Sequence, residues 1–168
     1  MSDLKFSEYI LNGENLRAST VFKPAGILPL KIPVTTPFTF PIENESVYLC
    51  LDKSGWWNPL GGHIEQDESW EDAIKREALE EAGVEVDKII LKGYVFVKHL
   101  VNNSKYPPES VLPITISTVN KYHSIWNKLE TKDRGKFTFI EALEKFRLRG
   151  DNNQMFEIFN YIIKTKYE

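Results

Sequence analysis

Between Gly62 and Val84 the chain reads GHIEQDESWEDAIKREALEEAGV. This is a glycine turn followed by one amphipathic helix, and it limits what the rest of the chain can be. At about 100° per residue, Glu80 falls roughly 60° to one side of Glu77 and Glu81 roughly 40° to the other, so three carboxylates share one face of adjacent turns. Like charges at that spacing destabilise a helix by a few tenths of a kcal/mol per pair. A hard divalent cation such as Mg²⁺ or Mn²⁺, which prefers carboxylate oxygen, relieves the repulsion. Arg76, four residues before Glu80, offsets only part of the charge. The face is therefore a metal-site candidate.

Both helix ends are marked. Ser69 with Asp72 makes a capping pattern, and Glu71 and Asp72 occupy the first turn, where the macrodipole favours anions. Gly83 supplies the left-handed residue that stops the helix. Trp70, Ile74 and Ala78 recur four apart as a packing stripe, with Glu77, Glu80 and Glu81 expected to turn away from it.

Elsewhere the signals are those of a sheet. Val47 to Leu51 is a clear strand followed by the turn Asp52 to Gly55, and Gly93 to Val97 and Val111 to Tyr122 are rich in β-branched and aromatic residues. Lys31 to Phe40 alternates like a strand, but Pro33, Pro37 and Pro41 predict an edge or an irregular one. Asp3 to Leu11 is expected to form a short helix ending near Asn12-Gly13, and Asn15 to Leu30 to form broken extended segments. The polar stretch Asn102 to Glu109 is a loop. Phe137 to Phe139 predicts a short extended segment, Ile140 to Phe146 a helix, and Asn152 to Lys166 a last helix with an apolar stripe. A mid-chain helix and C-terminal helices imply a sheet covered on both faces.

Written as a pattern, the segment has Gly62, five residues, Glu68, seven residues, Arg76-Glu77, then Ala78, Leu79, Glu80-Glu81, Ala82, Gly83 and Val84. It resembles the signature box of the Nudix (MutT-type) hydrolases at every fixed position. Ala78 is small where that family tends to carry a bulkier apolar residue. Trp57 to Gly62 is similar to the family's aromatic, proline and double-glycine approach to the box. The resemblance implies an α/β fold, the Nudix-type α/β/α sandwich around a mixed β-sheet. It would be one domain over 1–168, with the box at 62–84 and an N-terminal extension at 1–30.

The implied activity is divalent-metal-dependent hydrolysis of a phosphoanhydride bond in a nucleoside diphosphate linked to another moiety. Glu77, Glu80 and Glu81 are the expected ligands of Mg²⁺ or Mn²⁺, joined by a main-chain carbonyl near Gly61 or Gly62. Arg76 is expected to orient carboxylates such as Glu77, and Glu68 to pair with Arg76 in preference to joining the metal. Candidates for the general base are Glu77 or Glu80, then Glu109 or Glu130, for each of which a solvated surface acid is the competing reading. Trp57 and Tyr106, and with them Tyr94 and His99, are the aromatics available to stack a base. His63 is placed at the rim, because the site is rich in oxygen.

Charge and cysteine usage narrow the setting. Residues 1–84 hold 7 Lys/Arg against 14 Asp/Glu and residues 85–168 hold 14 against 10, so the halves carry −7 and +4. No basic, aromatic stripe suited to RNA stands out, so a small nucleotide is expected as substrate and nucleic acid is not. The single cysteine, Cys50, excludes an intrachain disulfide. With no 18-residue apolar span and no leader, a cytoplasmic protein without membrane attachment is expected. A homodimer using residues 1–40 stays open. Two other readings compete: a catalytically silent Nudix module that binds nucleotide or a protein partner, and a purely structural acidic helix. Intact Arg76, Glu77, Glu80 and Glu81 argue against the silent module.

Overall fold

A computed structural model of the chain describes residues 5–102, 105–149 and 153–168. Its plan follows from the alternation of side chains in one strand. In β4 (Ser46–Leu51), Val47 and Leu49 enter one apolar cluster while Tyr48 and Cys50 enter the other. Successive strand residues point to opposite faces, so a run that is apolar throughout belongs to a sheet buried on both sides.

The strands are β1 (Glu8–Gly13), β2 (Leu16–Pro24), β3 (Phe38–Glu43), β4, β5 (Trp57–Asn58), β6 (Leu60–Gly61), β7 (Val84–His99), β8 (Glu109–Tyr122) and β9 (Asp133–Thr138). They hydrogen-bond in the order β1-β2-β7-β8-β3-β4-β5, with β6 on β3 and β9 on β4. The sheet is mixed: β3 and β8 run parallel, and the other named pairs are antiparallel.

Helix α1 (Trp70–Ala82) covers one face, packing Ile74, Ala78 and Ala82 against Tyr48, Cys50 and Leu60. Helices α2 (Phe139–Arg147) and α3 (Gln154–Thr165) cover the other, where Phe146, Phe159 and Ile162 meet Phe40, Val47 and Leu49. Ala78 is wholly buried between α1 and the sheet. A larger side chain there would overfill the layer, which accounts for the small residue at this position of the box. Among the described residues no helix is long and apolar enough to cross a membrane.

Two expectations are corrected. Residues 8–11 are not helical; they belong to β1, which pairs with β2 through a two-residue turn at Glu14-Asn15. Asn15 takes φ 61°, the left-handed conformation a type II turn needs at its second central residue and Asn tolerates. Asn12-Gly13 thus leads into a hairpin and does not end a helix, while Asp3 and Leu4 lie outside the described residues. Second, the proline-bearing stretch is irregular as expected as far as Pro37, but from Phe38 it becomes β3, which is no edge: β8 lies on one side and β6 and β4 on the other. Pro41 stands just past Thr39, the last residue paired with β6, and just before Ile42, the first paired with β4. The residue that cannot donate to a ladder sits where the strand changes partners.

Candidate active site

The site is built where β6 runs into the loop before α1. Gly61 is paired with Phe38 of β3, and a Cβ there would lie 2.9 Å from the Phe38 Cα. Gly62 faces the Glu77 carboxylate, where a Cβ would lie 2.8 Å from Oε2. Close approach of backbone requires glycine at Gly61, and at Gly62 it leaves room for the Glu77 carboxylate. The Gly61 N–H donates to Glu81 Oε2 at 2.9 Å, so the turn is fastened to the helix it precedes.

The helix is fixed at both ends. Ser69 Oγ accepts from the Asp72 N–H at 3.1 Å, and Gly83, at φ 62°, donates its N–H to Leu79 O at 2.9 Å. Arg76 is the hub of its acidic face. Its Nε and Nη2 donate to the two Glu68 oxygens at 2.8 and 3.0 Å, Nη2 also to His63 O at 3.0 Å, and Nη1 to Glu77 at 2.7 Å and Glu80 at 3.2 Å. The bidentate pair holds the Glu68 carboxyl below its usual range, because a charged fork favours the ionised acid.

Glu77 is 7% exposed. It does not turn away from the packing face as expected but lies at its lip. Burial raises its pKa, against the pull of Arg76. Glu81 is pushed up to about 8, again by burial, with the Gly61 N–H opposing.

A third carboxylate arrives from a different element. Among the described residues, Glu77, Glu80 and Glu130 bring carboxylate oxygens within 4.8 Å of one another. Glu130 lies on the loop between β8 and β9, and that loop is stitched to the end of α1. Thr131 Oγ1 donates to Glu81 O at 2.9 Å, the His123 N–H to Gly83 O at 2.8 Å, and Arg134 Nη1 to Ala82 O at 2.6 Å and Nη2 to Ser124 O at 3.1 Å. The last turn of α1 has no basic residue of its own. Arg134 supplies the cation its C-terminus favours, with its guanidinium against the rings of Tyr122 at 4.2 Å and Trp126 at 3.9 Å. Sequence reasoning missed Thr131 and Arg134, since nothing near them in the chain marks the contact.

The carboxylates open into a cleft of about 580 Å³ that also exposes Gly61, Gly62, His63, Arg76, Glu81 and Leu129. Glu81 lines this cleft but spends one oxygen on Gly61 and stands outside the group of three. Glu109 lines a separate depression with Lys98 and His99. Trp57 packs edge-on to Phe137 at 4.7 Å under Lys145 and does not line the cleft. Tyr106 lines a neighbouring depression with His63.

The buried acids give a signed pH prediction. Between the unfolded carboxylate range and about 8, the metal-free folded chain holds a proton on Glu81 that the unfolded chain has lost. Stability therefore falls as pH rises through that window, and the raised Glu77 adds in the same direction. With chelator present, Tm is expected to drop by roughly 5 °C or more from pH 6 to pH 8.5. Glu81→Gln should flatten most of that slope, as calorimetric scans can check.

The NUDIX domain family model matches residues 37–153. A mouse oxidized purine nucleoside triphosphate hydrolase is 36% identical over 58 residues, which is 32% of this chain and 37% of that protein. The match thus spans little more than a third of the relative's length. A Bacillus subtilis pyrophosphohydrolase is similar in structure at a TM-score of 0.60 and 18% identity, over 77% of each chain. A Nitrosomonas europaea NUDIX hydrolase aligns at 0.61 and 18%, over 79% of this chain and 90% of its own. At such identities the structures speak for the fold, which they share with this mixed, helix-covered sheet. The family match takes in the glycine turn, the helix with its acidic face and the Glu130 loop, and on it the chain belongs to the Nudix hydrolase family.

Proposed function

We propose that this chain is a divalent-metal-dependent hydrolase that cleaves a phosphoanhydride bond in a small nucleotide, a nucleoside diphosphate linked to another moiety. The observation that carries the reading is the convergence of Glu77, Glu80 and Glu130 from two elements on one open cleft. Three carboxylates so close repel one another, and Arg76, shared with Glu68, compensates only in part. An all-oxygen donor set of this charge fits Mg²⁺ or Mn²⁺, held by Glu77, Glu80 and Glu130 with Glu81 beside them. When bound, such an ion supplies charge neutralisation for the pyrophosphate and acidifies water.

The chain's own groups do the remaining work. Arg76 fixes the Glu77 and Glu80 carboxylates through its Nη1 donor, and its Nη2 anchors the loop at His63. Glu77, buried and ion-paired, is a ligand and not a proton acceptor. The Glu80 side chain is 45% exposed and is placed to take the proton of a water attacking phosphorus, as the bridging P–O bond breaks and its electron pair leaves with the departing phosphate. Glu109 is outside the cleft and drops from the candidates for the base.

We place the reaction in the cytoplasm, in keeping with one buried thiol, Cys50. The test is release of phosphate or pyrophosphate from a panel of nucleoside triphosphates, ADP-ribose, dinucleoside polyphosphates, nucleotide sugars and capped RNA, with Mg²⁺, Mn²⁺ or chelator. Turnover of a small nucleotide that chelator abolishes is the expected result. Nucleotide binding without turnover anywhere in the panel would replace the enzyme with a silent binding module.

A further inference from the structure

The acidic cleft does not end at the glycine turn. His63 and Ile64 also wall a second depression of about 540 Å³, completed by Thr35, Lys105, Tyr106 and Pro107 beside Val34. Its chemistry is the reverse of the cleft's, for among the described residues no carboxylate lines it. Tyr106 stacks with two imidazoles. The His99 ring is almost parallel to it, at 5.6 Å and 3°, and the His63 ring stacks at 6.3 Å and 24°; of the two imidazoles only His63 lines the depression. Lys105 Nζ is 5.3 Å from the Tyr106 ring centre. The His99 pair is the closer and the flatter, so His99 props Tyr106 from β7, while the His63 pair stands wider, at the residue shared with the cleft.

His63 joins the two regions. Its carbonyl accepts from Arg76, the residue that orders the carboxylates, while its ring faces Tyr106. An oxygen-rich, metal-fitting cleft that continues into an aromatic, weakly cationic slot suits a molecule with phosphates at one end and a planar ring at the other. Trp57 offers no such surface, since it lines neither region. We infer that the His63–Tyr106 face is where the substrate's nucleobase stacks, making Tyr106 a specificity-determining residue. The inference rests on the hydrolase reading for the identity of the phosphate end.

The test uses AMP and GMP, with ribose 5-phosphate as the base-free comparison, followed by NMR of the imidazole C–H signals. The chain has three histidines, and His123, bonded to Glu85, lines neither region and serves as the internal reference. Ring-current shifts at His63 are expected with the nucleotides and not with ribose 5-phosphate. Stacking on one aromatic is worth about 5- to 150-fold in affinity. Tyr106→Ala should weaken AMP or GMP by that factor, and Tyr106→Phe, which keeps the ring, should restore it. Shifts that ribose 5-phosphate matches, or affinity unchanged in Tyr106→Ala, would overturn the inference. The readings fail separately. Turnover with an unchanged KM in Tyr106→Ala removes the stacking face and keeps the hydrolase, whereas base-dependent shifts without turnover keep the face and remove the hydrolase.

Discussion

Replacing Glu80 with Gln is expected to lower kcat for whichever nucleotide is turned over by about a hundredfold to a thousandfold. The substitution keeps size and hydrogen-bonding capacity and removes one negative charge. It therefore tests the charge of the cleft and not its packing. Glu80 is the most exposed of the Arg76-bonded pair on the helix, with its side chain at 45% against 9% for Glu77, and its loss costs the fold little. Tm should move by no more than about 2 °C. Half-saturation by Mg²⁺ should rise together with the fall in kcat, since one group serves as ligand and proton acceptor. Glu109→Gln is the informative comparison, because that acid lines a different depression and its loss should leave kcat unchanged. Equal activity in Glu80→Gln and the native chain would show that the acidic face is structural.

What could be read ahead of the structure was whatever is fixed within a few residues. The cap at Ser69 reaches three residues to Asp72, and Gly83 closes on Leu79, four residues back. Such contacts depend on local geometry alone, and so do the alternation in Val47 to Leu51 and the stripe on α3. The bonds that set Glu130 in place are of another kind. Thr131 and Arg134 reach Glu81 and Ala82 across 50 and 52 positions, and no periodicity reports a contact that exists only once β8 and β9 have folded.

Glu81 shows the same limit at smaller scale. Helix geometry puts it on the acidic face, but its rotamer, turned to the Gly61 N–H, is decided by β6. Pro41 misleads for a related reason, since its place at a change of partners belongs to the sheet and not to the strand. In the N-terminal hairpin, Asn12-Gly13 gives the same punctuation for a helix end and a turn. Only the pairing of Glu8 with Val21 separates the two.

The two glycines of the turn should fail in opposite ways. A Cβ at Gly61 would meet the Pro37 carbonyl oxygen and the Phe38 Cα, both backbone and both held by the sheet. Neither can swing aside, so Gly61→Ala must push β6 off β3 and loosen the N–H bond to Glu81. A destabilisation of about 3 kcal/mol or more is expected, a fall in Tm of roughly 10 °C, with poor recovery of soluble protein. A Cβ at Gly62 meets only the carboxylate of Glu77, the end of a side chain that can rotate. Gly62→Ala should therefore fold with Tm within about 3 °C of the native chain. The rotation, however, takes Glu77 off Arg76 and out of the group it forms with Glu80 and Glu130, and activity should fall about a hundredfold. Thermal scans and Mg²⁺-dependent turnover of the pair separate the two roles. If Gly62→Ala kept both its stability and its activity, Glu77 would not be the ligand whose placement the turn exists to protect.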